Sequence, residues 1–129
     1  MAEGKGFQSE LIPKIASGFC GGIARTGGIC GAVCGAVMAI SIYYGRSLPD
    51  EPIDKSYVPV RQLIEIFENN FGSTNCKQLT GCDLGTEEGR KRFFATNMLE
   101  RCRVFTEEAT RMAMSIIEAK PQTDIVTNS

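Results

Sequence analysis

Ile29-Cys-Gly-Ala-Val-Cys-Gly-Ala-Val-Met-Ala-Ile-Ser-Ile-Tyr-Tyr44 decides how the chain folds. These 16 residues contain no charge and no proline. They run too long for an ordinary strand and show no strict alternation, so they read as a buried helix. Gly31 and Gly35 each cost such a helix about 1 kcal/mol relative to alanine, which close packing against a neighbour is expected to offset. Gly45 is placed to end it, and Pro49 and Pro52 prevent its continuing.

Upstream, Phe7 to Ser17 reads as a short helix, with Ser9 as its cap and Pro13 in the first turn, where a missing N–H costs little. Leu11, Ile12, Ile15 and Ala16 give it an apolar stripe. Gly18 to Gly28 is a glycine loop, expected to be irregular and tightly packed because glycine permits positive φ and close backbone approach. Downstream, Arg46 to Val58 is a proline-punctuated connection. Val60, Leu63, Ile64, Phe67 and Phe71 then share one side of a helix that Gly72 closes. Asn75 to Thr80 is a short helical turn ended by Gly81. Thr86 can cap a helix reaching about Ala95, with Glu87 and Glu88 at its positive end and a break near Asn97. The last helix spans about Leu99 to Ala119, with Cys102, Phe105, Ala109, Met112 or Ala113, and Ile116 facing inward. The fold predicted is all-α: a compact bundle of four to six helices with a glycine-rich loop before the central helix. Residues 1–120 form one cysteine-rich domain and residues 121–129 a polar tail.

Composition removes several classes of chemistry. The 129 residues carry a net charge of −1 and include no histidine. That excludes Ser-His-Asp and Cys-His catalytic pairs, an HExxH zinc site and a Rieske centre. No CxxCH is present, so c-type haem attachment is excluded, and no CxxC provides a thioredoxin motif. Near-zero net charge leaves no footprint for nucleic acid. Arg90, Lys91, Arg92, Arg101 and Arg103 are interleaved with acids and read as a solvated helix face. Gly22-Ile-Ala-Arg-Thr-Gly-Gly has Walker-like glycines but no Lys-Ser/Thr, so nucleotide binding by that route is rejected. An anion near Arg25, at the start of the central helix, is physically possible, but a structural turn is the preferred reading. The stretch Gly27 to Gly45 is uncharged but rich in Gly, Ala and Ser rather than Leu, and is expected to be a core helix, not a membrane span. The start of the sequence has no apolar signal region, so a cytoplasmic protein is expected.

Chemistry therefore falls to six cysteines: Cys20, Cys30, Cys34, Cys76, Cys82 and Cys102. In a reducing compartment these are expected to ligate metal or to undergo redox chemistry rather than to form a disulfide framework. Cys30 and Cys34 are four apart on one helical side, and Cys76 and Cys82 bracket a short turn. Several lie at helix starts, where the dipole is expected to favour thiolate.

Gly28-Ile-Cys30-Gly-Ala-Val-Cys-Gly35-Ala, followed by Cys76 and Cys102, resembles the C-GCAxxG-C-C family of redox-active proteins. Phe71-Gly-Ser-Thr-Asn-Cys76-Lys-Gln-Leu-Thr-Gly-Cys82-Asp-Leu resembles that family's Cys-x-x-Leu-x-Gly segment, and Cys102 with Val104-Phe-Thr-Glu-Glu-Ala resembles its closing helix. The resemblance implies an all-helical, homodimeric domain with a cysteine cluster. A similar domain in split-Soret cytochromes carries an iron–sulfur centre. Cys30, Cys76 and Cys102 carry over by position. The family pattern begins with a further cysteine-bearing helix that this sequence is expected to lack, so the fourth ligand is open. Cys82 is nearest, with Cys34 and Cys20 as alternates. The expectation is an iron–sulfur cluster on Cys30, Cys76, Cys82 and Cys102, acting in electron transfer or redox sensing with an unidentified redox partner. A metal-free thiol–disulfide protein, a structural zinc domain and a helical interaction module are the competing readings.

Overall fold

A computed structural model describes residues 9–119. Phe7, Gln8 and the tail at 121–129 lie outside the described residues. The uncharged stretch forms α2, Gly31–Tyr44, with Val33, Ala36, Ala39 and Ile40 buried. Its partners are α3, Asp54–Phe71, and α6, Met98–Glu118, and the three pack mutually. The shared core joins Val33, Ala36 and Ile40 to Leu63, Phe67, Phe105, Ala109, Met112, Ala113, Ile116 and Ile117. Three shorter helices complete the described chain: α1 (Leu11–Ala16), α4 (Cys76–Thr80) and α5 (Glu87–Ala95). The described residues thus form an all-α bundle of six α-helices with no strand. None of these helices is long and apolar enough to cross a membrane.

Helix directions follow from two contacts. Tyr44 Oη donates to the Ile117 carbonyl at 3.1 Å, joining the ends of α2 and α6. Phe71, the last residue of α3, packs its ring edge-on against Phe105 near the start of α6, at 5.0 Å between centroids. So α2 and α6 run the same way and α3 runs back against both. The N-terminal ends of the two long parallel helices lie together, and their dipoles add there.

The structure revises several boundaries. The segment expected at Phe7 to Ser17 is helical from Leu11 to Ala16 and tightens into a 3₁₀ turn at Ser17–Phe19. Ser9 Oγ does accept the Leu11 N–H, at 3.2 Å. The expected inward stripe is absent, because Leu11 and Ile15 are 59% and 60% exposed. Helix α3 begins six residues before Val60, at Asp54, with Pro59 inside it and fully buried. Proline costs a helix an N–H and a carbonyl contact, but here its ring lies in the core. Gly31 meets close packing as expected, although its neighbour is the 3₁₀ turn: a Cβ there would lie 2.9 Å from the Phe19 carbonyl oxygen. Gly35 faces open space.

Caps match the sequence more closely. Asn75 Oδ1 accepts the Gln78 N–H at 3.0 Å and starts α4. Thr86 Oγ1 accepts the Gly89 N–H at 2.9 Å and starts α5. Gly72 and Gly81 end α3 and α4 in the left-handed conformation, at φ 85° and 69°. The basic stretch is absorbed into helix faces. Lys91 pairs with Glu87, Arg103 pairs with Glu100, and the Arg101 guanidinium lies over the Phe71 and Phe105 rings.

Candidate functional site

The glycine loop is the first element of the site. Gly21, Gly22, Ile23, Ala24 and Arg25 all have positive φ, between 52° and 71°. They form one left-handed turn. Each non-glycine residue in this conformation costs roughly 1–2 kcal/mol, and a β-branched residue such as Ile23 is there only under constraint. The turn is held by long backward bonds: Ala24 N–H to the Gly18 carbonyl at 2.8 Å, Gly27 N–H to Gly21 at 3.1 Å, and Gly28 N–H to Gly22 at 2.8 Å. It packs onto the start of α4. A Cβ on Gly22 would lie 2.6 Å from the Cys76 Cβ, so only glycine fits where the turn crosses that cysteine.

After the turn, residues 28–30 pair antiparallel with residues 74–76 through an isolated bridge between Ile29 and Asn75. Cys30 N–H donates to the Thr74 carbonyl and Cys76 N–H to the Gly28 carbonyl, each at 2.7 Å. Cys30 is the N-cap of α2 and Cys76 the first residue of α4. Cys82 is brought back toward Cys76 by the left-handed Gly81. Cys102 lies in the second turn of α6, whose start neighbours that of α2.

All six cysteines are free thiols. Cys30, Cys76 and Cys82 are buried, Cys34 and Cys102 are half-buried, and Cys20 is exposed. Burial, followed by the neighbouring Cys30, Cys76 and Cys82, pushes the Cys102 thiol up to about 11. Cys76 is raised by burial and then by Cys30 and Cys82, opposed by a hydrogen bond from Thr80. Cys34 is raised by burial and by Cys30, the one cysteine whose charge it feels. Cys102 is therefore a neighbour of Cys30, Cys76 and Cys82, Cys76 of Cys30 and Cys82, and Cys34 of Cys30.

The expectation that helix starts favour thiolate is overturned for Cys76 and Cys102. Desolvation first and like-charge crowding second outweigh the dipole and raise these two thiols. Among the described residues, no three Cys, Asp or Glu side chains stand close enough to hold a metal ion as they lie. The donor set fits a soft metal in type, although the thiols do not converge on one point as they lie. An open groove of about 330 Å³ along α6, lined by Leu99, Cys102, Arg103, Thr106 and Glu107, brings the Cys102 edge of the centre to the surface.

Residues 1–116 match the family described as "Putative redox-active protein (C_GCAxxG_C_C)". The chain belongs to the C_GCAxxG_C_C family. An uncharacterized protein from Archaeoglobus fulgidus is 33% identical over 98 residues, covering 65% of this chain. The alignment spans 62% of that relative's length. No solved structure matches. The C_GCAxxG_C_C assignment agrees with the cysteine spacing read from the sequence. The sequence did not reveal the left-handed turn, the cross-bridge between Cys30 and Cys76, or the buried Thr80. The glycine density around Gly21 and Gly22 signalled close approach but not its target.

Proposed function

We propose that the chain is a redox protein whose Cys30, Cys76, Cys82 and Cys102 hold an iron–sulfur cluster used in electron transfer or redox sensing. The observation that carries the reading is that the fold gathers these four cysteines from three separate segments: the start of α2, the two ends of α4, and the second turn of α6. Sulfur-only ligation suits [2Fe–2S] or [4Fe–4S], and such a cluster would supply reversible one-electron exchange. A cation among these thiols would offset the burial and crowding that keep Cys76 and Cys102 protonated, because ligation itself removes the proton. The left-handed turn covers the Cys76 side, and Cys102 faces the groove, where an unidentified redox partner would approach. Cys34 and Cys20 are the alternate fourth ligands. The half-exposed face of α2 around Cys34, Gly35 and Met38 supports a homodimer through that helix.

The test is anaerobic purification followed by reconstitution with ferrous iron and sulfide. The expected product is coloured, contains iron and acid-labile sulfide, and loses colour in Cys76→Ser and Cys102→Ser. A colourless, iron-free product at both stages overturns the reading. Zinc in the purified protein would favour a structural zinc domain instead. Reversible loss of two hydrogens at one cysteine pair on mild oxidation would favour a thiol–disulfide protein.

A further inference from the structure

Between Cys76 and Cys82 stands Thr80, 6% exposed and one of the few buried polar side chains of the described chain. Its hydroxyl is fully engaged. Thr80 Oγ1 donates to the Cys76 carbonyl at 2.9 Å and accepts the Cys82 N–H at 3.2 Å. The Thr80 carbonyl in turn accepts from the Cys82 thiol at 3.4 Å. One side chain thus touches the backbone of both cysteines of the turn, and the same residue's carbonyl holds the Cys82 sulfur.

A β-branched residue at the end of a five-residue helix has an ordinary packing role, and valine would fill the same space. Valine would leave the Cys82 N–H, buried with a residue only 2% exposed, without the acceptor it has here. An unmet buried donor is expensive, and the chain would relieve it by turning Cys82 away. The hydroxyl, not the methyl, is therefore what keeps Cys82 folded back over Gly81 toward Cys76.

We propose that Thr80 is a positioning residue of the thiol centre, its buried hydroxyl holding Cys76 and Cys82 as a pair ready to grip one soft atom. This role deepens the reading above and rests on it for the identity of the thiol group. A supporting hydrogen bond of this kind changes affinity for a bound metal by about 10- to 100-fold when removed.

The experiment uses the full reduced chain and phenylarsine oxide, an arsenic(III) reagent that binds two neighbouring thiols and releases water. Peptide mass spectrometry reads which pair is bridged, titration reads the affinity, and circular dichroism reads the fold. Wild type and Thr80→Ser should bridge Cys76 with Cys82 equally well. Thr80→Val should keep its helical signal and lose about 10-fold or more in affinity for that pair. Should Thr80→Val not fold, Thr80→Ala replaces it, since serine and alanine differ only by the hydroxyl. Equal capture in wild type and the hydroxyl-free variant overturns the proposal. So does loss of capture in Thr80→Ser, and so does a wild-type chain that bridges no Cys76–Cys82 pair. Iron and sulfide content judge the cluster separately. A chain that takes up no iron, yet loses arsenic capture only without the hydroxyl, overturns the cluster and keeps the positioning role.

Discussion

Cys30 and Cys76 are locked to each other through their backbones: each donates its own N–H, at 2.7 Å, to a carbonyl on the segment that carries the other. Each also stands where a helix begins. The positions from which the two thiols project are thus set by main-chain bonds, and the side chains add only a rotamer. A site built this way tolerates changes in the distant core better than changes in the short segments that cross at the bridge.

Gly22 is the most sensitive of those positions. Its φ is 69°, and a Cβ there would meet the Cys76 Cβ at 2.6 Å and the Gly28 backbone at similar range. Gly22→Ala should destabilise the reduced protein by about 2 kcal/mol or more, from left-handed strain and overpacking together. Gly35 is the control. It lies inside α2 with nothing within 4 Å of its would-be Cβ, so Gly35→Ala should stabilise the single chain by about 0.5–1 kcal/mol. Urea denaturation of both variants checks the opposite signs. A Gly22→Ala variant as stable as wild type would contradict the contact described.

The contrast between these two glycines marks what the sequence could tell. Local pattern located α2, the inward face of α6 and the cap at Thr86, because those signals are short-range. It placed Gly31 and Gly35 in one packing role, although one meets the Phe19 carbonyl and the other meets nothing. It also began α3 at Val60, whereas the helix starts at Asp54 and takes the Pro59 ring into the core. The nearness of Cys34 to Cys30 and of Cys82 to Cys76 was legible because four-residue and six-residue spacings are local. The protonation state was not, because it depends on burial among neighbours distant in sequence.

The roles of the six cysteines separate by position. Cys30→Ser and Cys82→Ser remove thiols from the proposed ligand set and should abolish thiolate-to-metal absorption in a cobalt(II) titration. Cys20→Ser should leave that absorption unchanged, since Cys20 is exposed. Cys34→Ser should change it little, because Cys34 is coupled to Cys30 and to no other cysteine. Loss of the signal in Cys20→Ser with retention in Cys82→Ser would exchange the two in the proposed ligand set.

Just behind the thiol end, the rings of Phe67, Phe71 and Phe105 pack at tilted to edge-on angles, 4.8–6.1 Å apart. Phe105 is 2% exposed and touches both of the others. Phe105→Ala should cost about 3–5 kcal/mol, the range for emptying a buried aromatic site. Arg101→Ala should cost only about 0.5–1 kcal/mol, because its guanidinium lies over two rings from an exposed position. Denaturation midpoints of the two variants measure the ratio. Comparable losses would mean that the ring cluster is not the core of this end.

The crowded thiols also give the metal-free fold an alkaline weakness. Burial first and the neighbouring cysteines second lift Cys102 from the ordinary 9.0 to about 11, and Cys76 and Cys34 are raised by the same causes. A thiol with a raised folded value keeps its proton where the unfolded chain has already lost it. Below pH 9 both states hold the proton and stability is undiminished. As pH rises from 9.0 toward 11, the unfolded state is favoured progressively. Lysines and tyrosines titrate in the same window, so the readout is the difference between wild type and Cys102→Ser. Urea midpoints of the reduced, metal-free proteins at about pH 8 and about pH 10.5 should fall more steeply for wild type. Metal should flatten the wild-type profile, because a ligated thiolate has no proton left to lose over that range. Identical slopes for the two metal-free proteins would mean that Cys102 does not feel its neighbours. Cys102 would then not stand beside Cys30, Cys76 and Cys82.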